Sequence, residues 1–207
     1  MRTDLLPENT LKLFSSFADQ EFLAPFYLTG GTALALQLGH RESEDLDFFT
    51  QQTFDPQQLQ EKLASFGSVT SVEIAEGTLN AFLNGVKLQF LHYPYKLLEQ
   101  TQFFNDIAIS SQLDIACTKL LTISMRGSKK DFIDLYFLLN TYTLRFLFDQ
   151  LTTKYAHTDY NLTHILKSLT YFEDAQLQPM PRMHISVNWE QVQQKIIDSV
   201  KETLPLL

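Results

Sequence analysis

Residues 27–49 read YLTGGTALALQLGHRESEDLDFF, and this stretch decides the fold. Phe26-Tyr27-Leu28 follows Pro25 as a short apolar run and predicts a strand. Thr29-Gly30-Gly31 ends that strand in a turn. Thr32 is placed to cap the helix that follows, ALALQLGH, which stops near Gly39. In ESEDLDFFT, Asp45 and Asp47 alternate with Leu46 and Phe48, as in a strand with one polar and one apolar face. Strand, glycine turn, helix, short loop and carboxylate strand thus follow one another without interruption.

Each part of this unit has a chemical use. Two glycines let the backbone turn sharply and approach a ligand closely. The helix beyond them offers free N–H groups and a positive dipole end, a ready seat for phosphate, and Thr32 adds a hydroxyl donor. Two aspartates at i and i+2 of a strand share a face, with backbones about 7 Å apart. Carboxylates at that spacing can share one or two hard cations, Mg2+ or Mn2+, whose other ligands are phosphate oxygens and water. Such a metal neutralises charge that develops during phosphoryl or nucleotidyl transfer. Taken alone, Gly-Gly is an ordinary turn and Asp-x-Asp a solvated strand face. The combination is more specific, because 13 residues separate Gly31 from Asp45, the length that one helix and a return loop need.

Upstream, residues 8–19 place Leu11, Phe14, Phe17 and Ala18 on one helical face. Downstream, Asp55-Pro56 starts a helix that runs to about Phe66, with Asp55 as cap and Pro56 in the first turn. Three strand-like runs follow at Val69–Ala75, Leu79–Leu83 and Val86–Tyr93. Asn84-Gly85 between the last two is a hairpin signal. Asp106–Ile109 reads as one more short strand. The rest is helical, at about 111–125, 129–142, 144–155, 161–173 and 189–203, with 178–184 as a connector. The expected organisation is an α/β (α+β) fold: a mixed sheet flanked by helices in residues 1–110, then a helical half in residues 111–207.

Composition bounds the rest. With 207 residues, 44% hydrophobic and 19% charged, the chain can bury a substantial core. Its net charge of −8 excludes broad electrostatic adhesion to nucleic acid, so an RNA substrate would need a local basic patch and help from metal ions. Cys117 is the one cysteine, and its default reading is a buried, inert thiol. The opening MRTDLLPENT lacks a signal-peptide pattern, and no apolar run would span a bilayer. A cytoplasmic protein with no membrane partner is expected.

The strand–GG–helix–DxD unit resembles the nucleotidyltransferase superfamily. LTGGTALAL with RESEDLDFF, and the later RGSKKDFIDLYFLL, look more narrowly like the AbiEii/AbiGii-type nucleotidyltransferase toxin family, over residues 25–140. The resemblance implies a nucleotidyltransferase-like sheet and transfer of a nucleoside monophosphate from an NTP to an acceptor. In that family the acceptor can be the 3′ end of tRNA or another RNA, growth arrest follows, and an antitoxin protein counters it. It also implies that a lysine and an aspartate from the helical region complete the site, which carries over to Lys119 and Asp131. Arg126 and Lys130 are further candidates for binding the triphosphate, as is Arg41 beside the carboxylate strand. Each has a plainer reading. Ser128-x-x-Asp131 is also a capping-box pattern. Lys129, Lys130 and Asp134 read equally as an exposed face, and Arg41 as a charged loop residue.

One departure from the superfamily bears on catalysis. Many members carry a third carboxylate on a later strand, as a metal ligand or as base for the attacking hydroxyl. In VKLQFLHY that place holds Gln89, with Asp131, Asp134 and Glu73 as substitutes. The alternatives are therefore an active nucleotidyltransferase, a catalytically impaired module of the same fold that binds nucleotide or protein, and a different Asp-x-Asp enzyme such as a glycosyltransferase. His92, His157, His164 and His184 lack the spacing of a zinc site. Tyr93-Pro94-Tyr95 reads as core or turn packing before base stacking.

Overall fold

Strand alternation decides which side chains meet the core, and here it gives the sheet one mainly apolar face and one that mixes polar residues with the buried Tyr27 and Phe49. The structure, a computed structural model, describes residues 1–156 and 158–206, so His157 lies outside the described residues. The chain divides into two units, Met1–Ser111 and Gln112–Leu207.

The first unit contains α1 (Glu8–Ser16), β1 (Tyr27–Thr29), α2 (Gly30–Leu38), β2 (Leu46–Thr50), α3 (Pro56–Ala64), β3 (Val69–Ala75), β4 (Thr78–Leu83), β5 (Val86–His92), β6 (Gln102–Phe104) and β7 (Ile107–Ile109). Its seven strands form one mixed sheet in the order β3-β4-β5-β2-β1-β7-β6. At the centre, β1 runs antiparallel to β2 and parallel to β7, and β2 runs parallel to β5. This is the α/β class that the sequence predicts.

Register lines up Ile109, Leu28, Phe48, Phe90 and Leu79 across five strands, and all five are fully buried. Phe48 and Phe90 stack with ring centroids 5.1 Å apart, and Phe26 meets Phe90 edge-on at 5.1 Å. Phe17, just past α1, touches Phe48 and Phe66 and closes this face. The abundance of phenylalanine is thus a matter of core construction. Burial of each such ring contributes about 1.5–3 kcal/mol.

Turn chemistry sets the strand pairings. Asn84 and Gly85 have φ of 51° and 81°, the left-handed pair that a two-residue hairpin needs. Asp55 accepts from Gln57 N and Gln58 N at the start of α3, as its cap role requires. The sheet's margins are short or irregular: β6 has three residues, and β3 carries a bulge between Thr70 and Glu73.

The second unit is helical: α4 (Gln112–Met125), α5 (Lys129–Leu138), α6 (Leu144–Lys154), α7 (Leu162–Leu169), α8 (Glu173–Gln176) and α9 (Trp189–Thr203). Helix α4 packs on α5, α6 and α7, and α9 packs on the same three. Thr143 and Asn161 cap their helices, and Asn188 with Gln191 makes a full capping box. Two helices end earlier than the sequence suggests. α5 stops at Leu138, where Thr141 N and Tyr142 N both turn back to the Leu138 carbonyl. The stretch predicted as one helix over 161–173 ends at Leu169, and residues 173–176 form the separate α8. Among the described residues no helix is long and apolar enough to cross a membrane.

Candidate active site

Strand β1 passes into helix α2 with no intervening loop, and Gly30 makes this possible. Its φ is +69°, a backbone conformation that a β-carbon disfavours. The helix begins at Gly30, so Thr29 occupies the N-cap position and Thr32 lies inside the first turn. The expected cap role of Thr32 is therefore corrected: α2 already includes the residues before it, and the cap position is Thr29. The buried Thr32 hydroxyl instead donates to the Asp45 carbonyl and lies 2.8 Å from Ser43 Oγ. It fixes the loop that delivers the carboxylate strand.

Asp47 faces the glycine turn. A β-carbon on Gly30 would lie 2.5 Å from Asp47 Oδ2, and one on Gly31 would lie 2.5 Å from Arg41 Nη2. The two glycines thus make room for a carboxylate and a guanidinium at the helix start. Arg41 is buried, and its Nη1 donates to the Glu42 carbonyl at 2.8 Å, which replaces the picture of a solvated loop charge. Asp45 and Asp47 are both half-buried. The first-turn N–H groups of α2 have no partner within the helix, and the dipole there favours an anion. One corner of the sheet therefore brings together an anion seat, a buried cation and the Asp47 carboxylate, with the Asp45 backbone held beside them by Thr32.

Register reveals a polar row that sequence reading missed. Glu73, Asn80, Gln89, Asp47 and Thr29 are direct partners across β3, β4, β5, β2 and β1. Ser110 extends it, donating from Oγ to Thr29 Oγ1 at 2.8 Å, while its carbonyl accepts from Gln37 Nε2. No local signal marks these contacts, since Ser110 and Thr29 are 81 residues apart. Gln89 is the immediate β5 neighbour of Asp47, and its Nε2 donates to Asn80 Oδ1 at 3.0 Å. Glu73 stands three strand intervals from Asp47, about 14 Å, too far to share an ion with it.

The helical unit holds its own charged cluster. Lys119 Nζ lies 2.8 Å from Asp131 Oδ1 and 2.6 Å from Asp134 Oδ2. Arg126 Nε lies 3.1 Å from Asp131 Oδ2, and Ser128 Oγ donates to the same oxygen at 2.5 Å. Both aspartates have 0% exposure, whereas the Arg126 side chain is 61% exposed. Burial, the largest single influence on Asp131, pushes its pKa up. The charges and hydrogen bonds of Lys119 and Arg126 together overcome this and hold it at about 2. The exposed-face reading is thus corrected for Asp134 and the buried Lys129, because helix α5 turns these residues inward. The capping reading fails too: Ser128 gives its hydroxyl to the Asp131 side chain and makes no side-chain cap bond. Lys130 is exposed.

Tyr93 packs against Phe49 at 4.7 Å and Tyr95 at 4.6 Å, the packing role expected of that tripeptide. His164 Nε2 is 3.0 Å from the Ser124 carbonyl. Among the described residues no group of three or more His, Cys, Asp or Glu is placed to hold a metal, so a metal at this site would rest on the Asp45/Asp47 pair.

Comparison with known proteins places these features in context. The family model described as nucleotidyl transferase AbiEii toxin, type IV TA system, matches residues 12–107, which contain the glycine turn and the carboxylate strand. The chain is 40% identical over 185 residues to the uncharacterized protein aq_aa25 of Aquifex aeolicus, covering 86% of this chain and 88% of that one. Two solved structures resemble this chain over most of its length. JHP933 from Helicobacter pylori has a TM-score of 0.47 and 20% identity, over 97% of this chain and 99% of that one. MenT4, nucleotidyltransferase toxin Rv2826c from Mycobacterium tuberculosis, has a TM-score of 0.46 and 15% identity, over 86% and 75%.

Proposed function

The chain belongs to the AbiEii family of nucleotidyltransferase toxins, and we propose on that premise that it moves a nucleoside monophosphate from an NTP to an acceptor hydroxyl. The observation that carries this reading is the approach of Asp47 Oδ2 to the Gly30 turn. A triphosphate seated on the α2 N-terminus would lie beside both carboxylates, with Arg41 on its other flank. In the transfer, the acceptor oxygen bonds to the α-phosphorus. The bond from that phosphorus to the bridging oxygen breaks, and pyrophosphate leaves.

Asp45 and Asp47 fit a divalent cation. They offer hard oxygen donors on one sheet face, the ligand type that Mg2+ and Mn2+ prefer. When bound, the ion supplies charge neutralisation for the triphosphate. Gly30 and Gly31 give the phosphates backbone contact, and Arg41 gives them a fixed positive charge. Thr32 positions Asp45 through its carbonyl. Lys119, Asp131, Arg126 and Lys130 enter this proposal through the family likeness alone; within the helical unit Lys119 is buried and bound to Asp131 and Asp134.

The proposed acceptor is RNA, with the 3′ end of tRNA foremost. The proposed setting is the cytoplasm, where a cognate antitoxin protein opposes growth arrest. The test is incubation with each labelled NTP, Mg2+ and bulk tRNA. Label in RNA is the expected result, and its loss in Asp47→Asn places the chemistry at this site. Gln89 in the place of an acid favours a second reading, a nucleotide-binding module without transfer. NTP binding with no label in any acceptor would establish that reading instead.

A further inference from the structure

The polar row contains a pair of amides whose placement beside the carboxylates has a chemical meaning. Gln89 is in register with Asp47, about 5 Å away along the sheet. Its Nε2 is committed to Asn80 Oδ1, on the side away from Asp47. The planar amide therefore presents Oε1, an acceptor with two lone pairs, on its other side. Both residues are half-buried, so water and a ligand can reach them. The ionisable groups on this face include Tyr27 on β1, Asp47 on β2, Lys87 on β5 and Glu73 on β3, with Asp45 just before β2. No carboxylate occupies the place next to Asp47 on β5.

Building on the proposed transfer reaction, we propose that Gln89, oriented by Asn80, receives the attacking hydroxyl of the acceptor. Oε1 accepts the hydroxyl's hydrogen bond and sets its oxygen against the α-phosphorus, which the Asp45/Asp47 corner holds. Gln89 touches substrate in this arrangement, and Asn80 is a positioning residue. An amide cannot keep a proton. As the oxygen–phosphorus bond forms and pyrophosphate departs, the hydroxyl proton passes to water at the half-exposed face. A cross-strand amide pair also helps to hold β4 to β5, but that role changes stability and leaves acceptor recognition untouched.

The experiment measures transfer from labelled NTP to bulk tRNA by the full chain, with kcat and KM determined for each substrate. Gln89→Ala should lower kcat/KM for the acceptor about tenfold or more, while NTP affinity without acceptor stays within about twofold. Asn80→Ala should show a smaller loss of the same kind. Asn80→Asp keeps an oxygen for Gln89 Nε2 and should restore most of it. Gln89→Glu should add an acidic limb to the pH profile of kcat/KM that the parent chain lacks. Equal acceptor kinetics in Gln89→Ala and the parent chain would overturn this role and leave the proposed transfer standing. So would a loss shared equally between NTP and acceptor. A parent chain that binds NTP and labels no acceptor would overturn both.

Discussion

Asp47 and Gly30 occupy each other's space: the carboxylate Oδ2 stands 2.5 Å from where a β-carbon on Gly30 would be built. The turn is therefore shaped around the acid, and the glycine is required twice. Its φ of +69° is disfavoured for any other residue, and its missing side chain is what lets Asp47 face the helix start.

Gly30→Ala should cost about 1–2 kcal/mol in backbone strain and also displace Asp47. Gly31→Ala lacks that strain and pushes on the end of Arg41, with Ser43 Oγ also close at 3.3 Å. The alanine at position 30 should reduce NTP affinity and transfer more than the alanine at position 31. Calorimetric NTP titration and chemical denaturation of the two variants check this. A ranking reversed in both would contradict the geometry.

Asp45→Asn and Asp47→Asn should each reduce transfer by about a hundredfold or more, because an amide does not replace an anionic metal ligand. Activity retained in either variant would remove that residue from the mechanism.

The Asp131 carboxyl titrates at about 2 in the folded chain, below its ordinary 3.8. A depressed folded-state pKa stabilises the fold above the unfolded value and ceases to do so as pH falls through the folded one. The contribution, about 2 kcal/mol, should be intact at pH 5 and lost between about pH 4 and pH 2. Urea denaturation across this window should show Asp131→Asn with a flatter acid limb than the parent chain. Identical limbs would count against the ion-pair account.

Lys119 is shared by two fully buried carboxylates. Lys119→Met would remove a cation from both, with Arg126 still 3.1 Å from Asp131, and should cost about 3–5 kcal/mol. Denaturation midpoints report this directly. A change under about 1 kcal/mol would indicate that one aspartate takes up a proton when the lysine is absent.

Cys117 should be inert in the native chain. Burial, countered in part by Lys154 and aided by Asp114, pushes its thiol up to about 12. Native protein at pH 8 should resist a thiol reagent that labels the denatured chain fully. Rapid native labelling would show that α4 opens readily.

Much of this was legible in the sequence wherever the signal is local. The alternation in LDFF turns Asp47 away from the buried Leu46 and Phe48, Asn84-Gly85 makes its hairpin, and Asp55-Pro56 opens α3. Strand β6 was not legible. Its three residues are too few for a period, and its turn to β7 uses Asn105 and Asp106 at φ of 48° and 59°. Sequence reading put Asp106 in the strand instead. The polar row lay equally out of reach, because register brings together residues from five strands. The inward turn of Asp131 and Asp134 goes with Lys119, which lies 12 residues before Asp131 on helix α4.

The bulge in β3 and the brevity of β6 bear on how this chain behaves in a crowded solution. An open sheet with two straight, long margins would offer unpaired amides as a template on which another molecule could grow a strand. Here one margin is kinked and the other ends after three residues, so neither presents a run long enough to seed stacking. The molecule can keep a wide sheet, with its reactive corner near the middle, and still resist association through its rims.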